Sequence, residues 1–196
     1  MTPAALQRLA NAKFRFTYGS NALNLAVTLR RRASEPVELL VTPEDASRWL
    51  NAAGLFEEPV RIRESELLEL RELRDAIYCI GHAASEQRPP SASDLRLLNQ
   101  AARRSEALPQ LGDDWSVRTL RAGAFNTAIA TLARDAIAIF GSDSERSLLR
   151  TCEQSDCGGL FLDRSRGERR RWCSMARCGN RAKVAAFRKR QKEERS

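Results

Sequence analysis

Histidine is nearly missing from this chain: His82 is the only one in 196 residues. Metal-dependent nucleases built on small zinc folds need histidines as ligands or general bases, and a single imidazole far upstream of the cysteines does not supply them. No glycine-rich nucleotide loop and no paired-carboxylate motif with a defined role stands in for them. There is no C-x-x-C, so the redox dithiol motif is absent. No run of about 18 apolar residues offers a membrane span. The opening MTPAALQRLANAKFRF lacks the charged start and apolar middle of a secretory signal. These absences lead us to expect a cytoplasmic, non-enzymatic protein with no membrane partner, in a reducing compartment where clustered cysteines favour metal over stable disulfides.

Hydrophobic residues make up 42% of the chain and charged residues 30%. That balance suits a soluble globular domain with a real core, or one such domain plus a small appendage. The net charge of +8 is unevenly spread. Residues 151–196 hold thirteen Arg/Lys against six acids, a balance of +7, which leaves +1 for residues 1–150. Four thiolates around one zinc would still leave the tail at about +5.

Residues 1–150 read mainly as helices, with a few short strands. In TPEDASRWLNAAGL (42–55), Thr42 is a cap, Pro43 occupies the first helical position and Asp45 sits where a capping-box acid belongs. Leu70, Leu73, Ile77, Ile80 and Ala84 step by three and four, which predicts an amphipathic helix over 64–84. On that helix Cys79 is expected to be an ordinary buried thiol, and His82 a satisfied or partly exposed surface residue. RPPSASD breaks it, and a shorter helix is expected over 93–104. WSVRTLR (115–121) alternates as a strand would, with FRF (14–16) or VELL (37–40) as candidate partners. A long helix over 124–140 and a fresh cap in GSDSE lead into Cys152.

The remaining cysteines are spaced C-x4-C-x15-C-x4-C, as Cys152, Cys157, Cys173 and Cys178. Two close pairs joined by a hairpin can converge on one tetrahedral zinc, and four thiolates leave no open position for water, so such an ion is structural. Two disulfides would also satisfy the spacing, but the expected compartment disfavours them. LFLD (160–163) and RRRW (169–172) are candidate hairpin strands turning at SRG (165–167), followed by a helix carrying the second pair. Knuckle, hairpin and helix together make a treble-clef-like finger. With so small a core, the metal is expected to supply much of its folding free energy, on the order of 10 kcal/mol in comparable zinc modules.

The run CEQSDCGGLFLDRSRGERRRWCSMARCGNRAKVAAFRKR closely resembles the bacterial CGNR zinc finger, named for the tetrapeptide here at Cys178, Gly179, Asn180 and Arg181. PVELLVTPEDASRWL (36–50), LRELRDAI (70–77) and ARDAIAIF (133–140) look like the helical ABATE domain that usually precedes it. LNLAVTL (23–29) departs from the family's LDF-like motif, where members often carry an acid. The resemblance implies two domains, a helical one over 1–148 and a finger with a basic C-terminal helix over 149–196. It implies a stress-responsive transcription regulator whose finger binds DNA, with the four cysteines as zinc ligands.

The finger's composition supports a polyanion partner independently. Arg169, Arg170 and Arg171 are consecutive, and on a strand Arg170 would point opposite to its neighbours. On the C-terminal helix Arg177, Arg181, Arg188 and Lys192 share one narrow sector, while Lys183 and Arg190, with Lys189 between the two sectors in sequence, extend the basic character. Val184 and Phe187 are expected to dock on the helical domain, and Trp172 to pack beneath the finger. Asn180 could read adenine or bond local backbone. DNA is the expected partner, with RNA or a docking protein as the alternatives. A homodimer would set half-site spacing, but no self-associating surface is visible in the sequence.

Overall fold

The computed structural model describes residues 13–56, 60–104, 108–120 and 123–193. The chain is mainly α-helical: α1 (Asn21–Ala26), α2 (Pro43–Ala52), α3 (Glu64–Ser85), α4 (Ala92–Ala102), α5 (Ala124–Gly141), α6 (Asp143–Ser147) and α7 (Asn180–Glu193). Three antiparallel hairpins accompany them: β1 (Leu29–Arg30) with β2 (Val37–Glu38), β3 (Leu108–Leu111) with β4 (Val117–Leu120), and β5 (Leu149–Thr151) with β6 (Leu160–Leu162). Among the described residues, no helix is long and apolar enough to cross a membrane.

The predicted caps form. Thr42 Oγ1 accepts from Asp45 N at 3.3 Å, Asp45 Oδ2 accepts in turn from Thr42 N at 3.3 Å, and Pro43 opens α2. Ser142 caps α6 through Glu145 N. Along α3, Leu70, Leu73, Ile77 and Ile80 are buried as their spacing requires. They meet Trp49 and Leu50 of α2 and Ile129, Leu132 and Ala136 of α5 in the main core. Cys79 is exposed, contrary to expectation. It precedes Ile80 by one residue, which on a helix turns it about 100° off the apolar stripe. His82 is partly exposed, with Nδ1 3.4 Å from Glu86.

Two strand pairings differ from those expected. The 117–120 strand pairs with 108–111 across a tight local turn, not with 14–16 or 37–40. Pro109 hides that partner in the sequence, and a two-stranded hairpin tolerates it because each strand is an edge. In the finger, 160–162 pairs with 149–151, and 169–172 is not a strand. Leu149 is buried opposite Leu162, and Leu160 and Phe161 are buried on the same strand, whereas the arginine run has no apolar face to bury.

The finger is built onto the helical domain. A second core joins Leu149, Leu160, Phe161, Leu162, Cys152, Cys173 and Cys178 to Tyr18, Leu23, Val27 and Ile139. Leu162 N donates to Tyr18 O at 3.0 Å, and Tyr18 N donates to the buried Asn24 Oδ1 at 3.1 Å. Asn24, at the point where this chain departs from the LDF-like motif, thus holds the segment that receives the finger strand. Two glycines make the approach close enough. A Cβ on Gly19, whose φ is +105°, would lie 2.9 Å from Leu162 Cβ, and one on Gly81 would lie 2.8 Å from Leu160 Cδ1. The expectation that the finger has little core of its own therefore has a structural answer, because four of the eleven buried residues of its core are borrowed from the helical domain.

Arg74 had no visible role in the sequence. It is 3% exposed on α3 and donates to both Glu38 oxygens at 2.7 and 2.6 Å and to Asp75 at 3.0 Å. Arg71 donates to Leu40 O at 2.9 Å. Together they fasten the β1–β2 hairpin to α3 by charge-assisted bonds.

Candidate metal centre and its basic surroundings

Each cysteine is delivered by a different short element. Cys152 follows β5 and is held by its amide on Gly159 O at 2.9 Å. Cys157 lies in the turn before β6, with its amide on Gln154 O at 2.8 Å. Cys173 follows the arginine run. Cys178 lies within a single π-helical turn, Met175–Gly179, which leads directly into α7. The four sulfurs all lie within 4.8 Å of one another, Cys157 to Cys173 being 3.8 Å and Cys173 to Cys178 3.6 Å. A zinc ion bound at about 2.3 Å by four thiolates has sulfur–sulfur edges of about 3.8 Å, so this donor set fits one tetrahedral ion. All four are free cysteines.

The thiols also need the cation electrostatically. Pairing with the neighbouring sulfurs and burial push the Cys157 and Cys173 thiols up. A second or third thiolate beside the first is unfavourable until a divalent charge sits between them. Arg181 adds positive charge from outside, 3.5 Å from Cys178 Sγ, and is itself paired with Asp156 at 2.5 Å.

Asp163 locks the loop between β6 and Cys173. It is fully buried and accepts from Ser165 N at 3.1 Å, Ser165 Oγ at 2.7 Å and Arg170 N at 2.7 Å. Burial opposes its charge, but these bonds outweigh it and hold the carboxyl below its ordinary value of 3.8. Its contribution to stability is therefore present above that ordinary value and is lost as pH falls through the lower folded one. Asp163→Ala leaves three donors without their acceptor and is expected to cost about 3 kcal/mol. A denaturant midpoint matching the unmodified protein would refute this. The sequence signal was the DRS turn pattern, in which a carboxylate bonds the amide two residues on.

The predicted basic residues divide by environment. Arg170 turns inward, donating to Cys173 O at 2.9 Å and lying 4.9 Å over the Phe161 ring, although 169–172 is not the strand that the alternation argument assumed. It is a brace for the metal loop, not a free cation. Arg171 pairs with Glu153 at 2.6 Å and lies 5.1 Å over the Trp172 ring. Trp172 is half-buried against the second core. Arg169, Arg177, Lys183, Arg188 and Arg190 are exposed and have no ion-pair partner among the described residues. The Lys189 side chain lies outside the described residues. Asn180 donates to Ala176 O at 3.1 Å, joining the π-turn to α7.

Val184 and Phe187 are 48% and 53% exposed, so α7 does not dock on the helical domain through them. The finger is seated by its β-hairpin, which leaves α7 projecting with every described side chain exposed except the half-buried Ala182.

Two family models match the chain: ABATE, described as "Putative stress-induced transcription regulator", over residues 19–143, and the CGNR zinc finger over residues 149–191. No curated protein matches it. With the helical domain, the four converging thiolates and both matches in register, the chain belongs to the ABATE family and ends in a CGNR zinc finger that holds one structural zinc ion.

Proposed function

We propose that this protein is a zinc-held transcription regulator that binds duplex DNA through the finger, acts in the cytoplasm and catalyses no reaction. The observation that carries the reading is α7, an exposed helix anchored at its root by a zinc ligand and carrying cations that nothing in the described fold neutralises. Arg169, Arg177, Lys183, Arg188 and Arg190 are the cations available to phosphates, while Arg170, Arg171 and Arg181 are already engaged within the finger. A helix of this kind can enter a major groove or lie along the backbone. The regulator description of the family points the same way.

Titration of the zinc-loaded protein with duplex DNA across salt concentrations tests it. If four or five phosphates are neutralised, log K should fall with log salt with a slope near −4. Arg188→Ala should weaken binding and reduce that slope by about one. Tighter binding to an RNA duplex or loop of matched length would move the partner to RNA.

A protein partner is the second reading, favoured by Met175, Val184 and Phe187, all about half exposed around the same helix. Absence of DNA binding, together with partner binding that hardly responds to salt, would select it.

A further inference from the structure

Between the β1–β2 hairpin and α7 lies a cleft of about 800 Å³, in the range that holds drug-sized ligands. Its floor is apolar and aromatic, with Tyr18, Val27, Leu29, Val37 and Tyr78. Its walls are arginines from both domains: Arg15, Arg30, Arg31 and Arg32 on one side, Arg177, Arg181 and Arg188 on the other. None of the residues lining it is acidic.

Three of these arginines are neutralised from outside the cleft. Arg32 pairs with Asp75 at 2.5 Å and lies 4.1 Å over the Tyr78 ring. Arg31 lies 3.6 Å from Asp156, which also holds Arg181. The other four have no acidic partner among the described residues. Arg15 is half-buried beside Tyr18 in the lining, Arg30 donates to the Lys13 carbonyl, and Arg177 and Arg188 are exposed. Burial, then the charge of Arg15, pulls Arg30 below its ordinary value, as expected where like charges crowd without a counterion. Positive charge on walls above an apolar floor concentrates anions there.

We infer that this cleft is a binding site for a small amphipathic anion, one with an apolar or aromatic body and a carboxylate, sulfonate or phosphate group. The body covers the floor formed by Val27, Val37 and Tyr78, and the anionic group meets the unpaired arginines. Cys157 and Cys178 lie in the same lining, so the ligand bridges the helical domain and the zinc centre. Arg177 and Arg188 then serve both ligand and polyanion, and filling the cleft weakens DNA binding; this consequence alone rests on the reading given under Proposed function.

The site is tested without nucleic acid, so the two readings fail separately. The full zinc-loaded chain is titrated with 8-anilinonaphthalene-1-sulfonate, an aromatic body bearing a sulfonate, and with N-phenyl-1-naphthylamine, its uncharged counterpart. One saturable sulfonate site per chain is expected, with the neutral dye bound at least about tenfold more weakly. Arg177→Ala with Arg188→Ala should weaken the sulfonate by about tenfold or more, and Arg15→Ala on the opposite wall should act in the same direction. Ala185→Trp keeps every charge but fills the cleft from exposed α7, and should abolish binding. Absence of binding to the unmodified protein would overturn the proposal. So would equal binding of the two dyes, or equal binding of the sulfonate by the unmodified, Arg177/Arg188 and Ala185→Trp proteins.

Discussion

Cys173→Ser should purify with almost no zinc and should loosen the helical domain as well as the finger. Cys173 is 1% exposed and central to the sulfur cluster, 3.8 Å from Cys157 and 3.6 Å from Cys178. Serine is too weak a donor to replace a thiolate at a structural zinc. In isolated zinc modules the ion supplies about 10–16 kcal/mol of folding free energy, so its loss should remove most of what holds the finger together. The loss spreads because Tyr18, Leu23, Val27 and Ile139 of the helical domain share the second core with the cysteines. Exposing each such side chain costs about 1.5–3 kcal/mol, comparable in sum with the whole stability of an ordinary domain. Metal analysis combined with hydrogen exchange reads both effects. Amides of residues 18–27 should lose protection in the variant and in chelator-treated protein. A variant that keeps a full zinc ion, or zinc-free protein with unchanged protection there, would contradict the shared core.

The second large effect is a reversal of sign at Gly81. Leu160 is fully buried against this glycine and Phe140, so Leu160→Ala should cost about 3 kcal/mol through lost burial and the cavity left behind. In the unmodified protein, Gly81→Ala places a methyl 2.8 Å from Leu160 Cδ1 and 3.2 Å from the Phe140 ring. The overpacking cost of about 1–3 kcal/mol outweighs the gain of up to about 1 kcal/mol from replacing a mid-helix glycine. With Leu160 already alanine, the nearest obstacle is gone and the same substitution should stabilise by about 1 kcal/mol. Denaturant unfolding of the four proteins in the cycle gives the coupling directly. Simple additivity would mean that β6 is not seated on α3 as described.

Local chemistry was enough to read much of this protein from its sequence. The stripe on α3, the Thr42–Asp45 cap and the Ser142 cap depend on residues within a few positions of one another. The paired cysteines were equally legible, because two short spacings and one tetrahedral ion leave little freedom.

Tertiary structure decided what depends on residues far apart. The partner of β6 is β5, chosen because Leu149 to Thr151 bring an apolar residue to a buried sheet and the arginine run does not. Arg74 is buried only because Glu38 and Asp75 converge on it. Cys79 is exposed because the helix turns it away from the core. The cleft could not be read locally at all, since Arg15 and Arg30 become neighbours of Arg177 and Arg188 only when the finger hairpin seats on Gly19 and Gly81. The sequence by itself determined which residues bind the metal and where the positive charge lies. The fold decided which way that charge faces, because the seating uses β6 and leaves α7 projecting beside the arginines of the helical domain.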